Sequence, residues 1–71
     1  MEEFFHKKLG ERIKSIRTSQ NRSREDIAFE VGVSGSYIGM IERGENDFKT
    51  SKLYNISKAL KIPLSELLKD I

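Results

Sequence analysis

The chain has 71 residues, a formal net charge of +2 and no cysteine. This length suits one domain spanning residues 1–71, and a core of that size supplies only about 3–5 kcal/mol of net stability. Without cysteine, disulfides, thiolate nucleophiles and sulfur-based zinc sites are excluded. No stretch reaches the roughly 20 apolar residues that cross a bilayer, and the N-terminus lacks the features of a secretory signal. We therefore expect a cytoplasmic protein.

The apolar residues recur with the 3.6-residue period of helices. Together with the single proline and the scattered glycines, this rhythm predicts an all-α fold of five short helices. The first helix is predicted from four residues that share one face: Phe5, Leu9, Ile13 and Ile16. Asn21 suits the left-handed cap that ends this helix.

Helices two and three have strong boundary signals. Ser23 is the N-cap predicted for helix two, with Asp26 three residues further on, and Gly32 is predicted to end it. Ser34 is the N-cap predicted for helix three, which ends at Gly44. The turn between them is so short that the two helices must cross steeply.

Two further helices are predicted towards the C-terminus. Thr50 or a near neighbour opens helix four, whose inward positions are Leu53, Ile56, Ala59 and Leu60. Pro63 suits the first turn of helix five, because it has no N–H to leave unpaired there. Helix five is predicted over about residues 63–71, and its apolar residues are Leu64, Leu67, Leu68 and Ile71.

Several short motifs occur at spacings that are specific when they are taken together. They are Leu9-Gly10-Glu11-Arg12-Ile13, Ile16-Arg17, Ser23-Arg24-Glu25-Asp26-Ile27-Ala28, Val31-Gly32-Val33-Ser34, Tyr37-Ile38, Ile41-Glu42-Arg43-Gly44, Ser57-Lys58-Ala59-Leu60 and Leu64-Ser65-Glu66-Leu67-Leu68. With these motifs, residues 8–68 resemble the phage-repressor-like helix-turn-helix family, the Cro and xenobiotic-response-element group. The resemblance implies a five-helix lambda-repressor-like DNA-binding domain with its helix-turn-helix motif at about residues 24–43.

The stretch from Ser36 to Gly44 looks most like the controller proteins of restriction–modification systems, which are single-domain dimers that regulate their own operons. The resemblance implies a nucleoid-associated transcriptional regulator that binds a palindromic operator in double-stranded DNA as a homodimer. Prophage repressors are similar. The alternative function is that of an antitoxin or adaptor which mainly binds a protein partner. A neighbouring toxin gene would favour this alternative, and a neighbouring methyltransferase or nuclease gene would favour the controller function.

The third helix is the predicted DNA reader, because a helix fits the major groove and base edges carry a distinguishable pattern there. The resemblance implies base-facing positions for Gly35, Ser36 and Met40, whereas Tyr37 either faces DNA or joins the core. None of these residues is a Gln, Asn or Arg that makes bidentate base contacts. We therefore expect modest direct readout, supplemented by the shape and deformability of the DNA.

A second set of residues is predicted to face DNA phosphates, partly because helix N-termini offer N–H groups to anions. The set is Ser23, Arg24, Ser34, Arg43, Asn46, Lys49 and Thr50. Arg24 departs from the family pattern, which has Gln at the first position of helix two. The change loses an amide that can buttress a side chain of the recognition helix. For any single lysine, a solvated surface position is the alternative.

Arg17 and Glu42 match the partly buried ion pair of the family, with a local pair between Glu42 and Arg43 as the alternative. Such a pair would orient the recognition helix. No chemistry beyond binding is expected. His6 is the only histidine, so the usual ligands for a metal site are missing, and no nucleophile–base pair or glycine-rich phosphate loop occurs. We expect no enzyme activity, cofactor, small-molecule ligand or membrane contact.

Helix five carries more large apolar residues than a small core can bury, four in eight positions. An apolar patch that stays exposed on a monomer usually marks an interface. We predict a twofold homodimer interface at Leu67, Leu68 and Ile71. It would set two recognition helices about 34 Å apart, which matches successive major grooves on one face of B-DNA.

Overall fold

The structure, a computed structural model, describes residues 2–45 and 49–71 and has five α-helices there. In chain order they are α1 (Glu2–Ser19), α2 (Arg24–Val31), α3 (Gly35–Glu42), α4 (Thr50–Ala59) and α5 (Leu64–Leu67). The described residues form no strand, and the predicted all-α class is confirmed. None of these helices is both long enough and apolar enough to cross a membrane.

The ends of α2 and α3 are fixed by the local signals that the sequence predicts. Ser23 Oγ accepts from the Asp26 amide at 3.0 Å, and the Asp26 carboxylate accepts from the Ser23 amide at 2.9 Å. These hydrogen bonds lower the pKa of Asp26. Ser34 Oγ accepts from the Tyr37 amide at 3.1 Å. α2 ends at Gly32, whose φ of +86° is a left-handed conformation that glycine adopts without strain.

The core is a single apolar cluster to which all five helices contribute. α2 packs against α3 and α4, α1 packs against α3 and α5, and α4 packs against α5. The large apolar side chains with no exposed surface are Leu9, Ile13, Ile27, Ile38, Ile41, Ile56, Leu60 and Leu67. Burying a side chain of this size stabilises the fold by roughly 1.5–3 kcal/mol, so this cluster is what holds α2 and α3 in place.

Gly10 allows α1 and α3 to approach each other closely. A Cβ atom built on Gly10 would lie 2.3 Å from the carbonyl oxygen of Ile41 and 2.6 Å from that of Glu42. Both neighbours are backbone atoms that cannot rotate away. The missing side chain therefore sets the distance between α1 and α3.

The first turns of α1 lie outside the core. Phe5 is predicted on the buried face of this helix, but it is 38% exposed, and Phe4 is more exposed still. Because α1 begins about two turns before it reaches the core at Leu9, the periodic apolar face extends beyond its packing partners. The prediction of Phe5 as an inward residue is therefore wrong.

The fifth helix is shorter than the sequence predicts. Pro63 precedes the helix as its N-cap, and α5 ends at Leu67. The prediction of a helix over residues 63–71 is therefore wrong at its C-terminal end. Leu68 and Ile71 lie in the turn that follows α5 and not on the helix.

Arg12 of α1 holds the carbonyl groups at the C-terminal end of α5. Its guanidinium donates to the carbonyl oxygens of Glu66 at 3.1 Å, Leu67 at 3.4 Å and Lys69 at 2.9 Å. Carbonyl groups at a helix end need partners from outside the helix, and the arginine supplies them. The chain then turns through Asp70, whose φ is +61°.

Candidate nucleic-acid interface

α2 and α3 form a helix-turn-helix unit, since only Gly32, Val33 and Ser34 separate them. Ile38 and Ile41 anchor α3, because both side chains are completely buried in the core. One side of α3 is thereby fixed. The residues on its other side keep a constant position relative to the rest of the fold.

The open face of α3 carries the residues that the sequence predicts as base-facing. Ser36 and Met40 are exposed, and Gly35 between α2 and this face is half-buried. Tyr37 is half-buried and packs against the core cluster. Of the two predicted positions for this tyrosine, the structure therefore favours the edge of the core.

The residues predicted to face phosphates lie mainly at the N-terminal ends of three helices. Ser23 and Ser34 are the N-caps of α2 and α3 and use their hydroxyl oxygens there. Lys49 and Thr50 are exposed at the start of α4, which has no side-chain cap. Within residues 49–71, no side chain caps the first N–H groups of α4. Asn46 lies outside the described residues.

Glu42 joins three helices by accepting hydrogen bonds from two arginines. Arg17 Nε lies 2.6 Å from Oε2, and Arg17 Nη2 lies 3.1 Å from Oε1. Arg24 Nε lies 3.0 Å from the same Oε1 atom. Arg43, the alternative partner, instead pairs with Glu45 on the surface, with 2.8 Å between Nε and Oε2.

The carboxylate of Glu42 stays ionised although its side chain is only 1% exposed. Burial alone would raise the pKa of this group, but the hydrogen bonds and charges of Arg17 and Arg24 outweigh burial and lower it. The same contact with Glu42 raises the pKa of Arg17. One negative charge therefore lies between two positive charges, which leaves one positive charge in excess.

A trough of about 430 Å³ runs between α2 and α3. Its lining includes Gly35, Ser36, Gly39 and Met40 from α3 and Arg24 and Glu25 from α2. This α2–α3 trough combines predicted base-facing residues with two charged side chains of the neighbouring helix. Such a concave, polar surface on a helix-turn-helix unit suits the edge of a nucleic-acid groove.

Comparison with known proteins identifies the family. The helix-turn-helix family matches residues 13–67, which is well over half of the chain. The chain belongs to this family. Both helices of the helix-turn-helix unit, α2 and α3, lie within the matched residues.

Two sequence relatives of this helix-turn-helix protein have related descriptions. An uncharacterised transcriptional regulator in the ATPase CF(0) region of Rhodospirillum rubrum is 36% identical over 63 residues, which cover 89% of this chain and 58% of that protein. The control protein C.BamHI of Bacillus amyloliquefaciens is 38% identical over 61 residues, covering 84% of this chain and 75% of that protein. The chain thus spans less than two thirds of the first relative.

Two solved structures share this helix-turn-helix fold. The restriction–modification controller protein C.AhdI from Aeromonas hydrophila has a TM-score of 0.83 and 34% identity, covering 86% of this chain and 92% of that one. The c2 repressor of phage P22, solved in complex with a synthetic operator, has a TM-score of 0.79 and 33% identity, covering 89% of this chain and 96% of that one. The predicted lambda-repressor-like fold is confirmed.

The predicted dimer residues of this helix-turn-helix protein do not all reach the surface. Leu67 is completely buried, so its assignment to a dimer interface is wrong. α5 directs this side chain into the core before the chain turns. Leu68 is half-buried and Ile71 is 36% exposed, so both retain surface that a second copy could cover.

Sequence reasoning missed the roles of Arg12 and Gly39. Arg12 contacts carbonyl groups 54 to 57 positions away, and no local spacing indicates such a contact. Gly39 did give a signal, because glycine within a helix costs roughly 0.5–1 kcal/mol relative to alanine. A glycine there points to groups packed against its backbone, and those groups are the guanidiniums of Arg43 and Arg24.

Proposed function

We propose that this chain regulates transcription as a homodimer that binds a palindromic operator, with α3 in the major groove. The observation that carries the proposal is the open face of α3, where Ser36 and Met40 lie opposite the buried Ile38 and Ile41, with Gly35 at its edge towards α2. A helix anchored on one side and open on the other can enter the groove without rearrangement.

The open face offers few groups for base contacts. Gly35 lies against the Glu25 carboxylate of α2, whereas the exposed Ser36 hydroxyl can donate or accept a hydrogen bond. Met40 can contact the methyl group of thymine. These contacts are few, so sequence-dependent bending of the operator contributes to the preference.

Phosphate contacts supply most of the affinity in this proposal. The exposed Lys49 and Thr50 flank the uncapped start of α4, where a phosphate oxygen could accept from both the backbone and the side chains. Ser23, Ser34 and Arg43 contribute from α2 and α3, and Asn46 from the connection before α4. Binding that depends on such contacts weakens steeply as salt rises.

Dimerisation is proposed through the C-terminal turn. Leu68 and Ile71 keep apolar surface there, and Leu64 at the start of α5 is also only half-buried. An isologous contact between two copies would cover this surface and double the number of phosphate contacts. The two α3 helices would then lie about 34 Å apart, one helical turn of B-DNA.

Autoregulation is the regulatory mode that we propose, as for a controller protein. Its support is the similarity to the control protein C.BamHI and the controller protein C.AhdI. The test is footprinting of the DNA immediately upstream of this chain's own gene. We expect protection of two half-sites about 10 base pairs apart, centre to centre. Autoregulation would be contradicted if this upstream DNA stayed unprotected at protein concentrations that protect another DNA site.

A further inference from the structure

The α2–α3 trough exists because α3 has two glycines one turn apart, Gly35 and Gly39. A Cβ atom on Gly39 would lie 3.2 Å from Nη1 of Arg43, and 3.6 Å from both Cζ and Nη1 of Arg24. The guanidinium of Arg24 therefore lies directly over the backbone of α3. A longer side chain at position 39 would occupy the space that the guanidinium now fills.

Arg24 is held in one orientation by its contact with Glu42. The bond from Nε to Oε1 fixes the inner edge of the guanidinium, and Glu42 itself is fixed by Arg17. Within residues 2–45 and 49–71, Glu42 is the only hydrogen-bond partner of Arg24. The outer edge, formed by Nη1 and Nη2, thus has no acceptor among these described residues. The Arg24 side chain is 38% exposed, so this edge is accessible from solvent.

The charged side chains in the trough should repel a DNA phosphate but not the edge of a DNA base. Glu25 lies against Gly35 so closely that a Cβ there would be 2.2 Å from its Oε2 atom. Arg43 also lines the trough, but its guanidinium is paired with Glu45. A phosphate that approached Arg24 inside the trough would therefore meet the carboxylate of Glu25 and be repelled. The edge of a base is neutral and avoids the repulsion, and a cytosine amino group could donate to the carboxylate.

We propose that Arg24 reads a guanine in each half-site, with Nη1 and Nη2 donating to O6 and N7 of that base. Arginine paired in this bidentate way is the commonest specific contact in the major groove, and a guanidinium already held by a carboxylate loses little freedom when it binds. The inference rests on the proposed function, since it requires α3 to lie in the groove. It differs from the phosphate contact that the sequence predicts for Arg24, and it supplies the bidentate reader that α3 itself lacks.

The test is selection of bound sequences from random duplexes with the full chain, followed by affinity measurements on single-base variants of the selected site. We expect the wild-type protein to prefer guanine at one fixed position per half-site by about 5- to 150-fold. Arg24→Lys keeps the charge but loses the paired donors, so it should lose this preference and keep a similar salt dependence. Lys49→Ala is the matched control, and it should bind all sequences more weakly while the guanine preference persists.

A measurement on the unaltered protein avoids any effect of substitution on folding. Replacing the selected guanine by 7-deazaguanine removes the N7 acceptor and should weaken wild-type binding, with little further effect on Arg24→Lys. Wild-type binding that is unchanged by 7-deazaguanine, together with a uniform loss for Arg24→Lys on all sequences, would mean that Arg24 binds a phosphate and would overturn the inference. Wild-type binding without any base preference would instead overturn the proposed function itself.

Discussion

Arg17 on α1 and Glu42 at the end of α3 are 25 positions apart in the chain and share two hydrogen bonds, of 2.6 and 3.1 Å. Both side chains are buried, and together they connect the first helix to the last turn of the recognition helix. A buried ion pair adds little stability compared with a well-packed apolar pair, but removing one partner alone is strongly destabilising. The contact therefore serves mainly to orient α3.

Replacing Glu42 by alanine should destabilise the fold by about 3 kcal/mol or more, because it leaves the buried Arg17 without its counter-charge. For a domain of this size the melting temperature should fall by roughly 12 °C or more. Glu45→Ala removes an exposed partner of Arg43 and is the matched control, with almost no expected effect. Thermal unfolding followed by circular dichroism measures both. A Glu42→Ala variant that melts within about 2 °C of the wild type would contradict this role.

Stability should decrease as the solution becomes acidic. In the folded state the pKa of Glu42 is below its ordinary value of 4.5. The stabilisation from its ionised form is therefore complete above about pH 4.5 and is lost as the pH falls through the lower, folded-state pKa. Urea midpoints measured from pH 7 to pH 3 test this. The urea midpoint of the Glu42→Gln variant should decrease less over that pH range. Asp26, whose pKa is also lowered, contributes with the same sign, and Asp26→Asn separates its share.

Ser36→Ala and Met40→Ala should change which bases the protein prefers, because these side chains lie on the open face of α3. Lys49→Ala should weaken binding to all sequences alike and reduce the salt dependence by about one phosphate contact. Titrations against a panel of single-base operator variants at two salt concentrations distinguish the two effects. An unaltered base preference in both α3 variants would rule out direct readout by this face.

The double change Leu68→Asp with Ile71→Asp should give a folded monomer that binds the operator far more weakly. Ile71 is exposed, and Leu68 is half-buried against the core cluster but keeps some surface, so charges there should disrupt association at a smaller cost to folding than a charge at a fully buried position. Leu67→Asp is the contrasting variant, which should unfold because that side chain is completely buried. Sedimentation equilibrium together with circular dichroism separates the outcomes. A wild-type protein that remains monomeric at tens of micromolar would contradict the dimer.

Arg12→Met should weaken dimerisation by roughly tenfold while the fold persists, because hydrogen bonds from a charged group stabilise by about 1.5–3 kcal/mol and these are partly exposed. The change releases the carbonyl groups that hold the C-terminal turn but keeps the apolar stem of the side chain. Lys14→Met, on an exposed position of the same helix, is the control. Equal dimer dissociation constants for the two variants would show that Arg12 has no part in presenting the interface.

The helix boundaries could be predicted because their causes are local. Ser23 and Ser34 bond to amides three residues away, and Gly32 adopts the backbone conformation that ends α2. The early end of α5 could not be predicted, since the side chain that binds its last carbonyl groups is Arg12 of a distant helix. The orientation of Arg24 was missed for the same reason. Its partner Glu42 and its packing surface on Gly39 come from α3, and only the folded chain brings them together.

Gly10 limits how α1 and α3 can be arranged in variants of this protein. Every substitution at this position adds atoms where the carbonyl oxygen of Ile41 already lies 2.3 Å from the site of a Cβ. The strain can be relieved only if α3 tilts or slides relative to α1. Under the proposed function, a single mutation on the inner side of α1 would therefore re-aim α3 and alter operator choice, although every residue proposed to contact DNA keeps its identity.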